Sequence, residues 1–251
     1  MTGDRMWQLP RQLRSNHRAQ LELTILLTLF RIPVPPNFAE RLKHETRSLH
    51  RQAEQTGFMR LLIGGRMGAP AYCRLLRNLL ALYCALEPAI LRQARHPLLA
   101  PVVGLGLFRS AALRADLRAL GCDEETAVRS LEPLAAATQA YVQRLQGFAE
   151  SGPERLLAHA YVRYMGDLNG GQRLASIVAN ALQLAVREGT AFYEFGGAAR
   201  TAALSGAFRE LLESGAADPE IADTIIAEAQ WSFAQHITIF DELASQADPA
   251  A

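Results

Sequence analysis

Lysine is almost missing from this chain: Lys43 is the only one among 26 lysines and arginines, so cationic work elsewhere falls to arginine. Cysteine is scarce too. Cys73, Cys84 and Cys122 are odd in number, widely spaced and without a Cys-x-x-Cys pair. That pattern gives no sign of a disulfide framework or a thiolate metal site, and it fits a reducing cytoplasm. Charge of one sign is also lacking. A formal net charge of +1 at pH 7 excludes a global attraction to nucleic acid or anionic lipid. No long apolar run is present. Leu23 to Phe30 follows Arg5, Arg11, Arg14 and Arg18 in loose imitation of a signal peptide. Its eight residues fall short of the ~20 that span a bilayer, Glu22 borders it, and Arg31 to Pro36 offers no small-residue cleavage site. Neither export nor a membrane span is expected.

What is present suits a soluble globular protein. Hydrophobic residues make up 49% of the 251 and charged residues 20%, enough for one domain with a real core plus a short appendage. Pro33, Pro35 and Pro36 cannot continue a helix, so they divide an N-terminal extension, residues 1–36, from a domain over 37–251. Asn37 followed by Glu40 is a cap pattern that predicts a helix to about Gln55. Leucine and alanine recur at helical spacing over 69–94, 123–149, 153–187, 199–214 and 218–246, and no window alternates as a strand does. His96 to Gly106 reads as a loop, and its Gly104-Leu105-Gly106 lacks the context of a nucleotide fingerprint. The expected class is all-α, a single-domain irregular helical bundle.

Two clusters carry candidate chemistry. On the first capped helix Lys43 precedes His50 by two turns, so both leave nearly the same face, and Glu54 lies one turn beyond. A cation two turns from an imidazole suits a planar ligand with a metal at its centre and carboxylates at its edge. Glu54 is placed to accept the second ring N–H. The same spacing also describes an ordinary exposed helical histidine with charged neighbours. The second cluster is Tyr161-Val162-Arg163-Tyr164-Met165-Gly166-Asp167-Leu168-Asn169-Gly170-Gly171-Gln172, where three glycines interrupt a strong helical pattern. Each costs up to ~1 kcal/mol against alanine, which asks for a reason. Either two helices cross closely there, with Arg163 and Asp167 as a surface pair, or the backbone kinks and approaches a flat ligand.

These two segments carry a resemblance. Leu42-Lys43-His44-Glu45-Thr46-Arg47-Ser48-Leu49-His50-Arg51-Gln52-Ala53-Glu54, followed by Phe58-Met59, resembles the first-helix motif of heme oxygenases. Ala158-His159-Ala160 together with Tyr161 to Gln172 resembles their distal-helix signature almost residue for residue. The likeness extends from about Phe38 to Leu243, through Tyr83-Cys84-Ala85-Leu86-Glu87 and Phe192-Tyr193-Glu194-Phe195, and excludes residues 1–36. It implies heme held between a proximal helix and a kinked distal helix. By the same likeness His50 is the iron ligand, Glu54 its orienting partner, and Lys43, Tyr161 and Arg209 are propionate contacts. Gly166 and Gly170 press the distal backbone against heme, and Asp167, with Arg163 and Tyr83, orders the catalytic water network. Asn169 stands where the family often has serine. Ser205 stands where many members carry a second lysine, which leaves the choice of meso carbon open.

The implied activity opens heme, as substrate and cofactor together, to biliverdin, carbon monoxide and ferrous iron. With no Cys-x-x-Cys-His for covalent attachment, heme would be held by the fold and one ligand alone. With no nucleotide fingerprint, electrons must come from an external donor, a ferredoxin or a flavoprotein reductase, and a biliverdin acceptor is a further partner. A non-catalytic heme carrier or sensor is the alternative, against which Asp167 and Arg163 argue, since a carrier needs no proton-delivery acid. A di-iron carboxylate enzyme is set aside because none of the six histidines follows a glutamate by three residues.

Overall fold

A computed structural model describes residues 37–122, 133–148, 151–185, 188–215 and 218–245. The extension 1–36 and residues 123–132 of the 123–149 expectation lie outside them. Among the described residues every regular element is helical, with no strand. In chain order these are α1 (Phe38–Glu54), α2 (Gly57–Ile63), α3 (Ala69–Arg92), α4 (Ala100–Gly104), α5 (Ser110–Ala119), α6 (Ala136–Phe148) and α7 (Arg155–Ala160). A π turn (Tyr161–Met165), α8 (Gly166–Leu182), a 3-10 turn (Ala191–Tyr193), α9 (Ala198–Gly215) and α10 (Pro219–Ser245) complete the order.

The long helices follow their apolar periodicity. Leu42, Thr46 and Ala53 form the buried stripe of α1, which packs on α10. In α3, Tyr72, Leu76, Leu79, Tyr83, Leu86 and Ile90 recur at three- and four-residue steps and meet α5, α6 and α7. Phe58 from α2 stacks on Phe240 from α10 with ring centroids 6.2 Å apart. Burying each such aromatic contributes ~1.5–3 kcal/mol, which offsets the cost of ordering short helices that could not stand alone.

Where the sequence reading missed elements, the missing information was nonlocal. The stretch from His96 to Gly106 contains α4, started by Pro101 inside its first turn, a position where the absent N–H costs nothing. α5 has no local cap. Its first amides, of Arg109 and Ser110, donate instead to the buried carboxylate of Glu87 on α3. α2 is one short run behind Thr56, whose hydroxyl accepts from Met59 N at 3.4 Å. The cysteine expectation is corrected as well: Cys73 on α3 and Cys122 after α5 are disulfide-bonded, and Cys84 forms no disulfide. Their separation of 49 residues gave no local pattern to read. α5 then reaches the chain between α8 and α9, because Asp116 accepts Ala191 N and Phe192 N, both at 2.7 Å, and so fixes the 3-10 turn.

Candidate functional site

The chain after α7 takes a π turn over Tyr161–Met165, immediately before Gly166, and continues as α8. A π turn holds an extra residue and re-aims the side chains around it. Here Tyr161 comes beside Thr46 of α1, whereas Arg163 and Asp167 reach Tyr83 of α3.

The three glycines then divide between the two readings of the sequence. At Gly171 an added Cβ would sit 3.3 Å from Tyr193 Cδ1, so this glycine serves a close crossing with the 3-10 turn. At Gly166 and Gly170 it would meet nothing within 4 Å. One turn apart on α8, they leave a strip of open backbone, as a flat ligand requires.

Asp167 is far from being a surface residue: it is 6% exposed, and Arg163 Nη2 donates to its Oδ1 at 2.9 Å while the Tyr83 hydroxyl donates to its Oδ2. Arg163 Nε reaches the same hydroxyl at 3.3 Å. The i,i+4 surface pair contemplated from spacing is thus a buried one, held across two helices. Burial pushes the Asp167 carboxyl above the usual carboxylate range, against the pull of the Arg163 charge and the Tyr83 hydroxyl. Burial disfavours the Arg163 cation too, but Asp167 and Tyr83 outweigh it. Phe192 lies edge-on to Tyr83 at 5.7 Å, so the Asp116 clamp also steadies this group.

On the first helix His50 stays half exposed, its side chain 50% accessible. Glu54 Oε2 lies 3.7 Å from its Nδ1, and Phe233 of α10 stands edge-on at 5.6 Å. The nitrogen left for a ligand is Nε2. Lys43 is exposed on the same helix, and Arg209 is exposed on α9. Tyr161 is raised by burial and lowered by Thr46 and the Arg209 charge, which brings α1, the π turn and α9 together. Ser205 is buried, and its hydroxyl donates to Asn169 Oδ1 at 3.2 Å, with Gln172 Nε2 bonding Thr201 Oγ1 at 3.2 Å one turn on. The two departures from the family pattern therefore meet and stitch α9 to α8.

A family model for heme oxygenase matches residues 36–242. The chain belongs to the heme oxygenase family. Heme oxygenase 1 of Nostoc is 33% identical over 208 residues, covering 82% of this chain and 86% of the relative. Heme oxygenase-1 from the cyanobacterium Synechocystis, solved in complex with heme, superposes with a TM-score of 0.75 at 34% identity, over 84% of this chain and 94% of that one. The heme oxygenase of Leptospira interrogans gives 0.76 at 31% identity, over 82% and 100%. None of the helices described is long and apolar enough to cross a membrane.

Sequence reasoning missed the polar line that continues behind Asp167, Arg163 and Tyr83. Arg163 Nη1 lies 3.3 Å from His236 Nε2, and His236 Nδ1 lies 2.8 Å from Ser232 O. Tyr141 OH bonds Ser232 Oγ and, at 2.8 Å, His159 Nδ1. His159 Nε2 is 3.1 Å from Glu228 Oε1, and Arg144 holds Glu228 through two bonds of 2.7 Å. The readable signal was Glu228, Ser232 and His236 at four-residue steps along one face of α10.

Proposed function

We propose that the protein opens heme to biliverdin, carbon monoxide and ferrous iron, consuming oxygen and electrons from an external donor. The observation that carries this is the buried Asp167–Arg163–Tyr83 group set beside the open backbone of Gly166 and Gly170. A carrier has no use for an acid held in this way. The residues fit heme: a half-exposed imidazole with Glu54 Oε2 3.7 Å from its second nitrogen, a strip of backbone without Cβ atoms, and exposed cations on α1 and α9.

His50 is assigned to the iron through Nε2, with Glu54 fixing the ring. Lys43, Tyr161 and Arg209 are assigned to the propionates. Heme, once bound, supplies the iron that binds and reduces oxygen and the ring edge that is oxidised. Asp167 would order water in the site and pass protons through it at a distance, so that direct protonation by the carboxyl is avoided. Arg163 and Tyr83 keep both carboxylate oxygens occupied and so fix where those waters attach. Gly166 and Gly170, with no side chain beyond Cα, would let the helix backbone come close to bound heme. Ser205 gives its hydroxyl to Asn169, so the propionate cations in this reading are Lys43 and Arg209, and their hold decides which meso carbon is presented.

A ferredoxin or a flavoprotein reductase is the proposed donor, and a biliverdin acceptor a further partner. Residues 1–36 are proposed as an extension with no catalytic part, and the location as the cytoplasm. There thiol exchange would reach the Cys73–Cys122 bond through the half-buried Cys122, since Cys73 is buried. The test is to add hemin and reductant to the parent and to His50→Ala, follow the absorbance, and extract the pigment. The parent should yield biliverdin; the variant should hold heme loosely and open none until imidazole is added. Tight heme binding by the parent without ring opening under electron supply would establish the carrier.

A further inference from the structure

We propose that His236 of α10 is a positioning residue for the distal acid, acting through Arg163 to keep Asp167 singly bound by the guanidinium and free to take the Tyr83 hydroxyl. The proposal rests on the heme-opening reading of the site, but its first measurement needs no heme.

A guanidinium beside a carboxylate tends to the two-pronged pairing that uses both oxygens. That pairing is not the one adopted. Arg163 gives Nη2 to Asp167 Oδ1 at 2.9 Å, Nε to Tyr83 OH at 3.3 Å and Nη1 to His236 Nε2 at 3.3 Å. The third contact draws the fork away from Asp167, leaving Oδ2 for the tyrosine. His236 can do this only as a neutral ring with its lone pair on Nε2. Its Nδ1 faces the Ser232 carbonyl at 2.8 Å and must therefore carry the proton, which makes Nε2 the acceptor. Burial and the Arg163 charge hold the imidazole down to about 3, so it remains neutral wherever the enzyme works. The ring is 3% exposed and packs edge-on to Tyr141 at 5.3 Å, with Phe240 at 6.1 Å on another side. Its direction is thus fixed by packing as well as by the Ser232 carbonyl.

The first measurement is nitrogen NMR of the heme-free protein. His236 should show a protonated Nδ1 and an unprotonated, hydrogen-bonded Nε2 from pH 8 to pH 5. A cationic ring, or the opposite tautomer, at pH 7 overturns the proposal even if no variant folds. The second compares His236→Gln, whose side-chain oxygen restores an acceptor near Nε2, with His236→Leu, which has none. In the ferric heme complex, His236→Leu should move the midpoint of the acid–alkaline absorbance change and lower the biliverdin yield about tenfold, as loss of an outer partner does elsewhere. His236→Gln should bring both back toward the parent. Equal failure of the two variants, both folded, would make His236 a packing residue only. A His236→Leu protein with parental midpoint and yield would remove its role altogether. If the NMR result holds while the parent opens no heme, the heme-opening reading fails and the tautomer assignment stands.

Discussion

Replacing Gly170 by alanine should improve the empty protein and harm the loaded one. Gly170 lies inside α8, its φ is not in the left-handed region, and an added methyl would meet no atom within 4 Å. Nothing then opposes the ordinary helix preference, so Gly170→Ala should stabilise the heme-free protein by ~0.8–1 kcal/mol. In a chain of this size that raises Tm by about 2–4 °C. The same methyl would intrude where the flat ligand is proposed to lie. Overpacking of that kind costs ~1–3 kcal/mol, about 5- to 150-fold in heme Kd. Gly171→Ala is the control, because there the methyl meets Tyr193 Cδ1 at 3.3 Å, and the apoprotein should gain less. Denaturant melts of the three heme-free proteins and hemin titrations followed by absorbance give both quantities. An apoprotein destabilised by Gly170→Ala would mean that something packs on the strip. A stabilised one that binds and opens heme like the parent would mean that the glycine is not there for heme.

Asp167→Asn should keep heme on His50 yet lose most biliverdin formation and oxidise guaiacol when peroxide is added; biliverdin at the parental rate would remove the acid from the mechanism. Asp167→Ala should also cost ~3–5 kcal/mol of stability in denaturant melts, because it leaves the buried Arg163 cation without its carboxylate. Cys73→Ser should lower stability by about 4 kcal/mol, the loop-closure value for a 49-residue separation, with reductant lowering the parent to match. Equal stability of the two proteins without reductant would mean the sulfurs are not joined in solution. Acid should destabilise the fold in two overlapping ranges. The unfolded chain protonates its histidine near 6.5 while His236 waits until about 3, and Glu228, held to about 2 by Arg144 and His159 against the opposing effect of burial, loses its contribution as pH falls from about 4.5. Asp167, raised in the fold by burial, works in the opposite sense just above about pH 4, where the folded carboxyl takes up its proton before the unfolded one does. His236→Gln should therefore flatten the stability slope between about pH 6 and 4 by up to ~1.4 kcal/mol per pH unit, and an unchanged slope would show that His236 is not held neutral.

The parts of this protein that were legible in its sequence are those whose cause is local. The start of α1 behind Asn37, the run of α3 and the extent of α10 follow from caps and apolar periodicity, which act over a few residues. α5 was not legible because its start depends on Glu87, 22 residues upstream of Arg109 in sequence and adjacent only in space. The disulfide failed to register for the same reason. The family resemblance named Asp167, Arg163 and Tyr83 correctly as neighbours, but spacing alone left a surface pair between the first two as one of two open readings, where the fold supplies a buried one.

That difference matters for how the proposed chemistry is controlled. A solvated Asp167 would exchange its partners with water and fix nothing beyond itself. Buried, it can be directed only by groups that are themselves held, so the control extends outward through Arg163 to His236, Ser232 and Tyr141. Two other elements reach the same point independently. Asp116 on α5 seats the 3-10 turn and sets Phe192 against the Tyr83 ring, while Ser205 and Thr201 fasten α9 to α8 through Asn169 and Gln172. The glycine strip thus lies on a helix that is held by the Asp167 group on one side and by Asn169 and Gln172 on another. An opening at that strip admits a flat ligand without loosening the acid that is meant to act on it.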